Sequence, residues 1–279
     1  MISYTKAHAL GNDFLIVTEE AVAGRDWAEL TRRLCERNTG VGADGIEFFA
    51  WISKQPGKNA GRIRLHNADG SIAEISGNGT RCVAAWMAEA IGAMTGDVLE
   101  IETDAGLRLC RVNAVHAGQG YSVEITTGMG VPKVAPRTVT IPGGVRVPGF
   151  EVSTGNPHFV IVADNAEFSV DGQKWQSIGQ QICGHPDFPY QTNVEFVRVV
   201  SRSEVEIRIF ERGVGPTTSS GTGTSATATA VIALGLADSP LRVLAQGGAQ
   251  TVVWAGPETE LELTGPAALI ARGEAWENL

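Results

Sequence analysis

Apolar residues in this chain of 279 come in short, bounded runs. The runs are Phe14–Val17, Ile46–Trp51, Ile63–Leu65, Val98–Thr103, Leu107–Val112, Tyr121–Thr126, Phe159–Val162, Val194–Val199, Val205–Phe210, Thr251–Trp254 and Leu261–Leu263. They are rich in Val, Ile and Phe and end at Gly, Pro or Asp, which predicts strands. Three stretches predict helices: Trp27–Cys35 behind a capping Asp26, and Thr80–Ile91 and Thr224–Leu234, each directly after a Gly-rich turn. Segment 214–218 follows neither period and is expected as loop. The two helices behind the turns are apolar on most sides, with Ala84, Ala85, Met87, Ala88 and Ala90 in one and ATATAVIAL in the other. A helix of that kind is normally buried, here wrapped by sheet.

The two turns are copies. Ser76-Gly77-Asn78-Gly79-Thr80 returns 144 residues later as Ser220-Gly221-Thr222-Gly223-Thr224, and the same offset carries Gly11-Asn12 onto Gly155-Asn156 and Ile63-Arg64 onto Ile207-Arg208. The chain therefore reads as two homologous halves, each offering an equivalent turn to one ligand. We expect an α+β fold of two pseudo-symmetric domains, each a curved, mostly antiparallel sheet around a central helix. The boundary is expected near Gly128-Met129-Gly130-Val131-Pro132, where turn formers cluster.

Composition narrows the function. A net charge of −9 speaks against a nucleic-acid surface. No 18-residue apolar run or signal-like N-terminus points to a membrane or export. Cys35, Cys82, Cys110 and Cys183 form no CxxC or zinc spacing, which suits reduced thiols in a cytoplasmic protein.

The turns carry the candidate chemistry. The first four N–H groups of a helix lack internal partners and the helix dipole favours an anion there, so each turn can receive a carboxylate or phosphate. Ser76 and Ser220 could instead act only as caps. The GxGxxA match at Gly221–Ala226 follows no strand and is a weak nucleotide signal. Asn12, Asn67, Asn156 and Asn193 supply donors and acceptors, Arg212 can pair with a carboxylate, and Glu211 can receive an ammonium. Together they suit a zwitterion.

At these residues the chain resembles the diaminopimelate epimerase family. The resemblance is carried by LGNDF (10–14), GVGADG (40–45), NADGSIAEISGNGTRC (67–82), GNPHFV (155–160), NVEFV (193–197), ERGVG (211–215), SGTGTSA (220–226) and LTGPA (263–267). It implies a cofactor-independent isomerase, an amino-acid epimerase of lysine biosynthesis that converts LL- to meso-diaminopimelate. It further implies domains at 1–127 with the tail 266–279, and at 128–265, with the substrate in the cleft between them. The substrate's α-carboxylate would lie on Gly77, Asn78, Gly221 and Thr222. Glu211, helped by Asn67, would take the amine. Asn67, Asn156, Asn193 and Arg212 would meet the distal end, Asn12 would join the substrate-binding set, and His158 and Glu211, catalytic with the two turn serines, would sit close together beside the site. No cofactor or metal is expected, no partner beyond the amino-acid substrate is required, and a homodimer is left open.

The departure is in the proton carriers. The family's two cysteines are Ser76 and Ser220 here, and the Glu after ERGxG is Pro216. A thiol ionises near pH ~8.5, an alkyl hydroxyl is a far weaker acid, and each tenfold loss of acidity costs about 1.4 kcal/mol. A helix dipole returns only ~0.3–2 kcal/mol. The serines therefore need a neighbouring base, for which His66 and His158 are the candidates. Two further readings stay open: another isomerase or lyase on this fold, or an amino-acid-binding pseudoenzyme.

Overall fold

The computed structural model describes every residue except 56, 119 and 277–279. Its strands are β1 (Ile2–Ala9), β2 (Asn12–Thr18), β3 (Gly45–Gln55), β4 (Lys58–Asn67), β5 (Ile72–Ala73), β6 (Val98–Thr103), β7 (Gly106–Ala117), β8 (Tyr121–Gly128), β9 (Lys133–Ile141), β10 (Val145–Ser153), β11 (Pro157–Val162), β12 (Asn193–Ser201), β13 (Glu204–Glu211), β14 (Gly215–Thr217), β15 (Leu241–Ala245), β16 (Gly248–Val253) and β17 (Glu262–Ala275). Its helices are α1 (Trp27–Cys35), α2 (Gly77–Ile91), α3 (Trp175–Cys183) and α4 (Gly221–Ala233). The chain divides into one unit of Met1–Gly128 with Thr264–Leu279 and a second of Met129–Leu263.

In the first unit the pairings run in a circuit. β17 pairs with β1, β1 with β2, β2 with β3, β3 with β4, β4 with β6, β6 with β7, β7 with β8, and β8 returns to β17. β2–β3 and β4–β6 in this circuit are parallel. Helix α2 starts where Ser76 caps Gly79 and stops where Gly92 turns left-handed (φ 66°), a conformation glycine enters without steric cost. It packs on β1, β2, β3, β6, β7 and β8. Its Cys82, Val83, Ala84, Ala85 and Met87 share a core with Phe14, Phe49, Ile63 and Leu65. Helix α1 covers the other face of β3 and β4, where Leu30 and Leu34 meet Ile46 and Phe48. Strand alternation thus sends Ile46 and Phe48 of β3 to α1, and Glu47 and Phe49 to α2.

The second unit repeats the plan. β9, β10, β11, β12 and β13 pair in sequence, with β11–β12 parallel, and β13 pairs parallel with β15, which pairs with β16. Helix α4 packs on β9, β10, β11, β12, β13, β15 and β16. Its hydroxyls are buried, and several are satisfied within the unit: Ser225 Oγ donates to Gly221 O at 2.9 Å, Thr229 Oγ1 to Ser225 O at 2.9 Å, and Thr224 Oγ1 to Gln250 Oε1 at 2.7 Å. Hydroxyls that bond the preceding turn can be buried without an unmet donor. Helix α3 covers the opposite sheet face, with Trp175, Ile178 and Ile182 against Phe159, Ile161 and Phe196.

Several sequence expectations are corrected, and strands β1, β9 and β10 lie outside the expected runs. Within segment 214–218, Gly215–Thr217 is strand β14, paired antiparallel with Ile209–Glu211. It is short and holds Pro216, which the pattern of an interior strand excludes but an extra strand after a tight turn accepts. Helix α3 has no counterpart among the expected helices. Lys174 gives it no side-chain cap, and its centre is Gly179, a poor helix former required because a Cβ there would lie 2.6 Å from Phe210 Cβ. Both turn-derived helices also begin three residues early, at Gly77 and Gly221, so the Gly-rich turns are themselves the first helical turns.

Candidate active site

Each unit presents its turn in the same way. Ser76 is extended (φ −122°, ψ 121°) and its Oγ accepts from Gly79 N at 3.0 Å. Ser220 is extended (φ −147°, ψ 127°) and its Oγ accepts from Gly223 N at 3.1 Å. Both serines cap their helices, and both stay partly exposed. The adjacent side chains are tied down equivalently: Asn78 Nδ2 donates to Asn12 Oδ1 at 3.0 Å, and Asn156 Nδ2 donates to Thr222 Oγ1 at 3.3 Å. These are the same two positions in each half, bonded in opposite directions.

In the first unit the network runs inward. Arg81, fully buried, donates to Asn78 Oδ1 at 2.5 Å. Asn12 Nδ2 donates to Asp44 Oδ2 at 2.7 Å, and Asp44 Oδ1 accepts from Arg37 at 2.7 Å. Burial pulls Arg81 down to about 10, because desolvation disfavours its charged form. Burial also acts to raise Asp13, but hydrogen bonds from Arg37 and Lys6 outweigh it and hold this carboxyl below its ordinary range. Asn67 closes β4, with Nδ2 donating to Ser71 Oγ at 3.0 Å.

In the second unit the centre is His158, with no exposed surface. Its Nδ1 lies 2.8 Å from Glu195 Oε1 and its Nε2 lies 2.9 Å from Asn156 Oδ1. With both nitrogens facing oxygen, the ring can donate on both sides when it carries two protons. Ser220 Oγ, Thr222 Oγ1, Asn156, His158 and Glu195 form one continuous chain, the first link being 3.4 Å. Asn193 braces the strand ends, donating to Pro157 O at 3.0 Å and accepting from Arg212 N at 2.9 Å. Arg212 Nη1 donates to Tyr190 O at 3.2 Å, and Glu211 faces Gly215 across the β13–β14 turn.

Of the expected site residues, Asn12, Ser76, Gly77 and Asn78 gather at the first turn, with Asn67 at the end of β4. Asn156, His158, Ser220, Gly221 and Thr222 gather at the second, with Asn193, Glu211 and Arg212 beside β13. His66 does not join them. It points to the α1 face of the sheet, edge-on to Phe48 (5.3 Å) and Trp27 (6.2 Å), where burial holds it below its ordinary value. Its neighbour Leu65 takes the α2 face, so alternation along β4 removes His66 as a base for Ser76. Cys82 cannot substitute either, since full burial pushes its thiol up and out of the thiolate range.

Two residues beside the turns escaped the sequence reading. Glu47 and Glu195 are both fully buried and stand third in equivalent strands, in I-E-F-F and V-E-F-V, 148 residues apart. The signal was a carboxylate inside an otherwise apolar strand.

The model of the family described as diaminopimelate epimerase matches residues 4–134 and 150–270. A diaminopimelate epimerase of Heliobacterium modesticaldum is 34% identical over 98% of this chain and 99% of its own length, and one of Prochlorococcus marinus is 35% identical over 98% and 92%. Among solved structures, a probable proline racemase of Agrobacterium radiobacter aligns with a TM-score of 0.74 at 16% identity, covering all of this chain and 94% of its own. A hydroxyproline epimerase of Agrobacterium vitis aligns with a TM-score of 0.70, also at 16%, covering 98% and 90%. The last two establish the fold, and the first three establish that this chain belongs to the diaminopimelate epimerase family of isomerases.

Proposed function

We propose that this protein is a cofactor-independent amino-acid epimerase acting on diaminopimelate, LL to meso, with Ser76 and Ser220 at the two proton-transfer positions. The observation that carries the reading is the duplicated cap. In each unit a partly exposed serine begins a buried helix, and an amide side chain from the preceding β-turn is bonded to the residue two positions on. Each helix packs on several strands of its unit, and its N-terminus would serve as an anion site.

One substrate shared by both turns would place its α-carboxylate on the N–H groups of Gly77, Asn78, Gly221 and Thr222. Glu211 and Asn67 would hold the amine, and Asn156, Asn193 and Arg212 the distal carboxylate. Two helix dipoles directed at one carboxylate stabilise the charge that builds up when the α-proton leaves. Inversion then requires removal on one face and return on the other. The second face has its own proton source in the His158–Glu195 pair behind Ser220. That His158 has no counterpart beside Ser76 also favours a second reading, an isomerase or lyase on this fold that works from one face.

Incubation with LL-diaminopimelate in D₂O, followed by NMR, tests both. The first reading expects deuterium at the α-carbon with inversion. It also expects the double variant Ser76→Cys with Ser220→Cys to be faster by orders of magnitude, with little gain from either change alone, because acid and base act as a unit. A double variant that binds the amino acid and exchanges no α-proton would refute it. Exchange without inversion would leave the one-face reading.

A further inference from the structure

Glu47 poses a problem that the reaction as described does not absorb. It lies on β3 with no exposed surface, and neither carboxylate oxygen has a hydrogen-bond partner among the described residues. An unpartnered buried carboxyl is expensive and is rarely retained without use. Its position is specific. A Cβ built on Gly79 would collide with Glu47 Oε1, would lie 3.0 Å from Glu47 Cδ, and would lie 3.2 Å from Ser76 Cβ. The carboxyl is thus lodged against the first turn of α2, on the same side of Gly79 as Ser76.

The second unit shows what such a carboxyl does when it has a partner. Glu195 holds the same place: a Cβ on Gly223 would lie 2.7 Å from Glu195 Oε1 and 3.2 Å from Ser220 Oγ. The strand registers agree as well. Glu47 pairs with Ile16 and Glu195 with Val160, while Gly45 pairs with Phe14 and Asn193 with His158. Phe14 therefore stands where His158 stands. Glu195 Oε1 has His158 Nδ1 at 2.8 Å, and Glu47 has an aromatic ring at that position, so a carboxyl with the same placement is left without a hydrogen-bond partner among the described residues.

We propose that Glu47 is the proton-exchanging partner of Ser76, giving the first turn the acid and base that its serine lacks. This rests on the epimerase reading. In one direction the substrate's α-C–H bond breaks, leaving its electron pair on carbon. Ser76 Oγ, turned from Gly79 N–H toward Glu47, takes that proton while its own hydroxyl proton passes to the Glu47 carboxylate, a contact that the resting structure does not hold. In the other direction Ser76 gives its proton to the carbanion and is reprotonated by the Glu47 carboxylic acid. No other reactant is needed. The surroundings suit the task. Burial lifts Glu47 to about 8, close to the pH at which a group can serve as either acid or base. The facing residues on β2 and β4 are Ile16 and Leu65, and the titratable group electrostatically linked to Glu47 is Cys82 of α2, itself raised by burial.

The test uses the whole chain with Glu47→Gln, which keeps the shape and removes the proton, and Glu47→Asp. We expect Glu47→Gln to lose ~10²–10⁴-fold in α-proton exchange, with calorimetric binding of diaminopimelate unchanged within about threefold, and Glu47→Asp to recover part of the loss. A structural carboxyl would be replaced by the amide without that loss, so exchange at the wild-type rate in Glu47→Gln overturns the proposal. A second measurement is independent of turnover. The infrared carbonyl band of protonated Glu47, identified by its disappearance in Glu47→Gln, should shift in Ser76→Ala. If the wild type exchanges no α-proton, the epimerase reading falls, yet this band still decides: movement supports the Glu47–Ser76 link, and a fixed or missing band overturns it.

Discussion

Gly79 and Gly223 are required by what lies beneath them. Neither has a positive φ; each is a glycine because a buried carboxyl occupies the space of a Cβ. In an ordinary helix Gly→Ala gains up to ~1 kcal/mol in propensity. Here the clash should win, and overpacking of this kind costs ~1–3 kcal/mol. We expect Gly79→Ala to destabilise the protein by about that amount in urea unfolding, and to become neutral or stabilising when Glu47→Ala is also present. Residues in direct contact show such coupling, whereas distant ones add. A single variant with wild-type stability, or the same loss in both backgrounds, would mean that the carboxyl does not fill this space. The contact at Gly223 is looser, so the corresponding loss there should be smaller.

At the scale of elements, each Ser-Gly-x-Gly turn caps its helix and, on the proposed reading, also carries a proton. Replacing Ser76 or Ser220 by Ala should cost ~1 kcal/mol of stability through the lost cap, while removing the proposed proton carrier altogether. Thermal unfolding and exchange kinetics of the two variants separate these effects, and loss of activity without loss of stability would show that the caps contribute little. The elements also show where sequence reasoning reached and stopped. The caps, the apolar helices and most core strands were legible because Ser-Gly turns and runs of Val, Ile and Phe are local signals. A histidine near a turn in sequence does not reveal its face: His66 shares a face with Phe48, and Glu47 reads in sequence as one polar residue in an apolar run although it is fully buried. Helix α3 was missed because its cap is absent and Phe210 demands a glycine at its centre, a contact made across 31 residues of chain. Its trace lay in the repeat: Trp27 and Cys35 bound α1 as Trp175 and Cys183 bound α3. The candidate binding residues were legible through family motifs, since Asn and Gly beside turns have local uses that spacing alone does not separate from function.

For the molecule as a whole, duplication with one substitution sets the character of the chain. Two units repeat one arrangement of strand, buried carboxyl and capped helix, and they differ on the neighbouring strand two residues before the carboxyl's pairing partner, where Phe14 stands in one and His158 in the other. The difference has a thermodynamic consequence measurable without substrate. Glu47 ionises near pH 4.5 when unfolded and near pH 8 when folded, because burial disfavours its charge. Between those values the folded protein holds a proton that the unfolded chain has released, so the unfolding free energy falls as pH rises through that window. Below it both states are protonated, and above it both are ionised, with the charged carboxyl left unpartnered in the core. Glu47→Gln carries no such proton. We therefore expect Glu47→Gln to match the wild type within about 1 kcal/mol near pH 4.5, to become progressively the more stable of the two as pH rises, and to hold a constant advantage above pH 8 to 9. Urea unfolding of both proteins across that range measures the difference directly, and all other titrating groups cancel in the comparison. A difference that stays flat with pH would show that Glu47 keeps an ordinary carboxylate in the folded protein, and with it would go the physical basis for its exchange with Ser76.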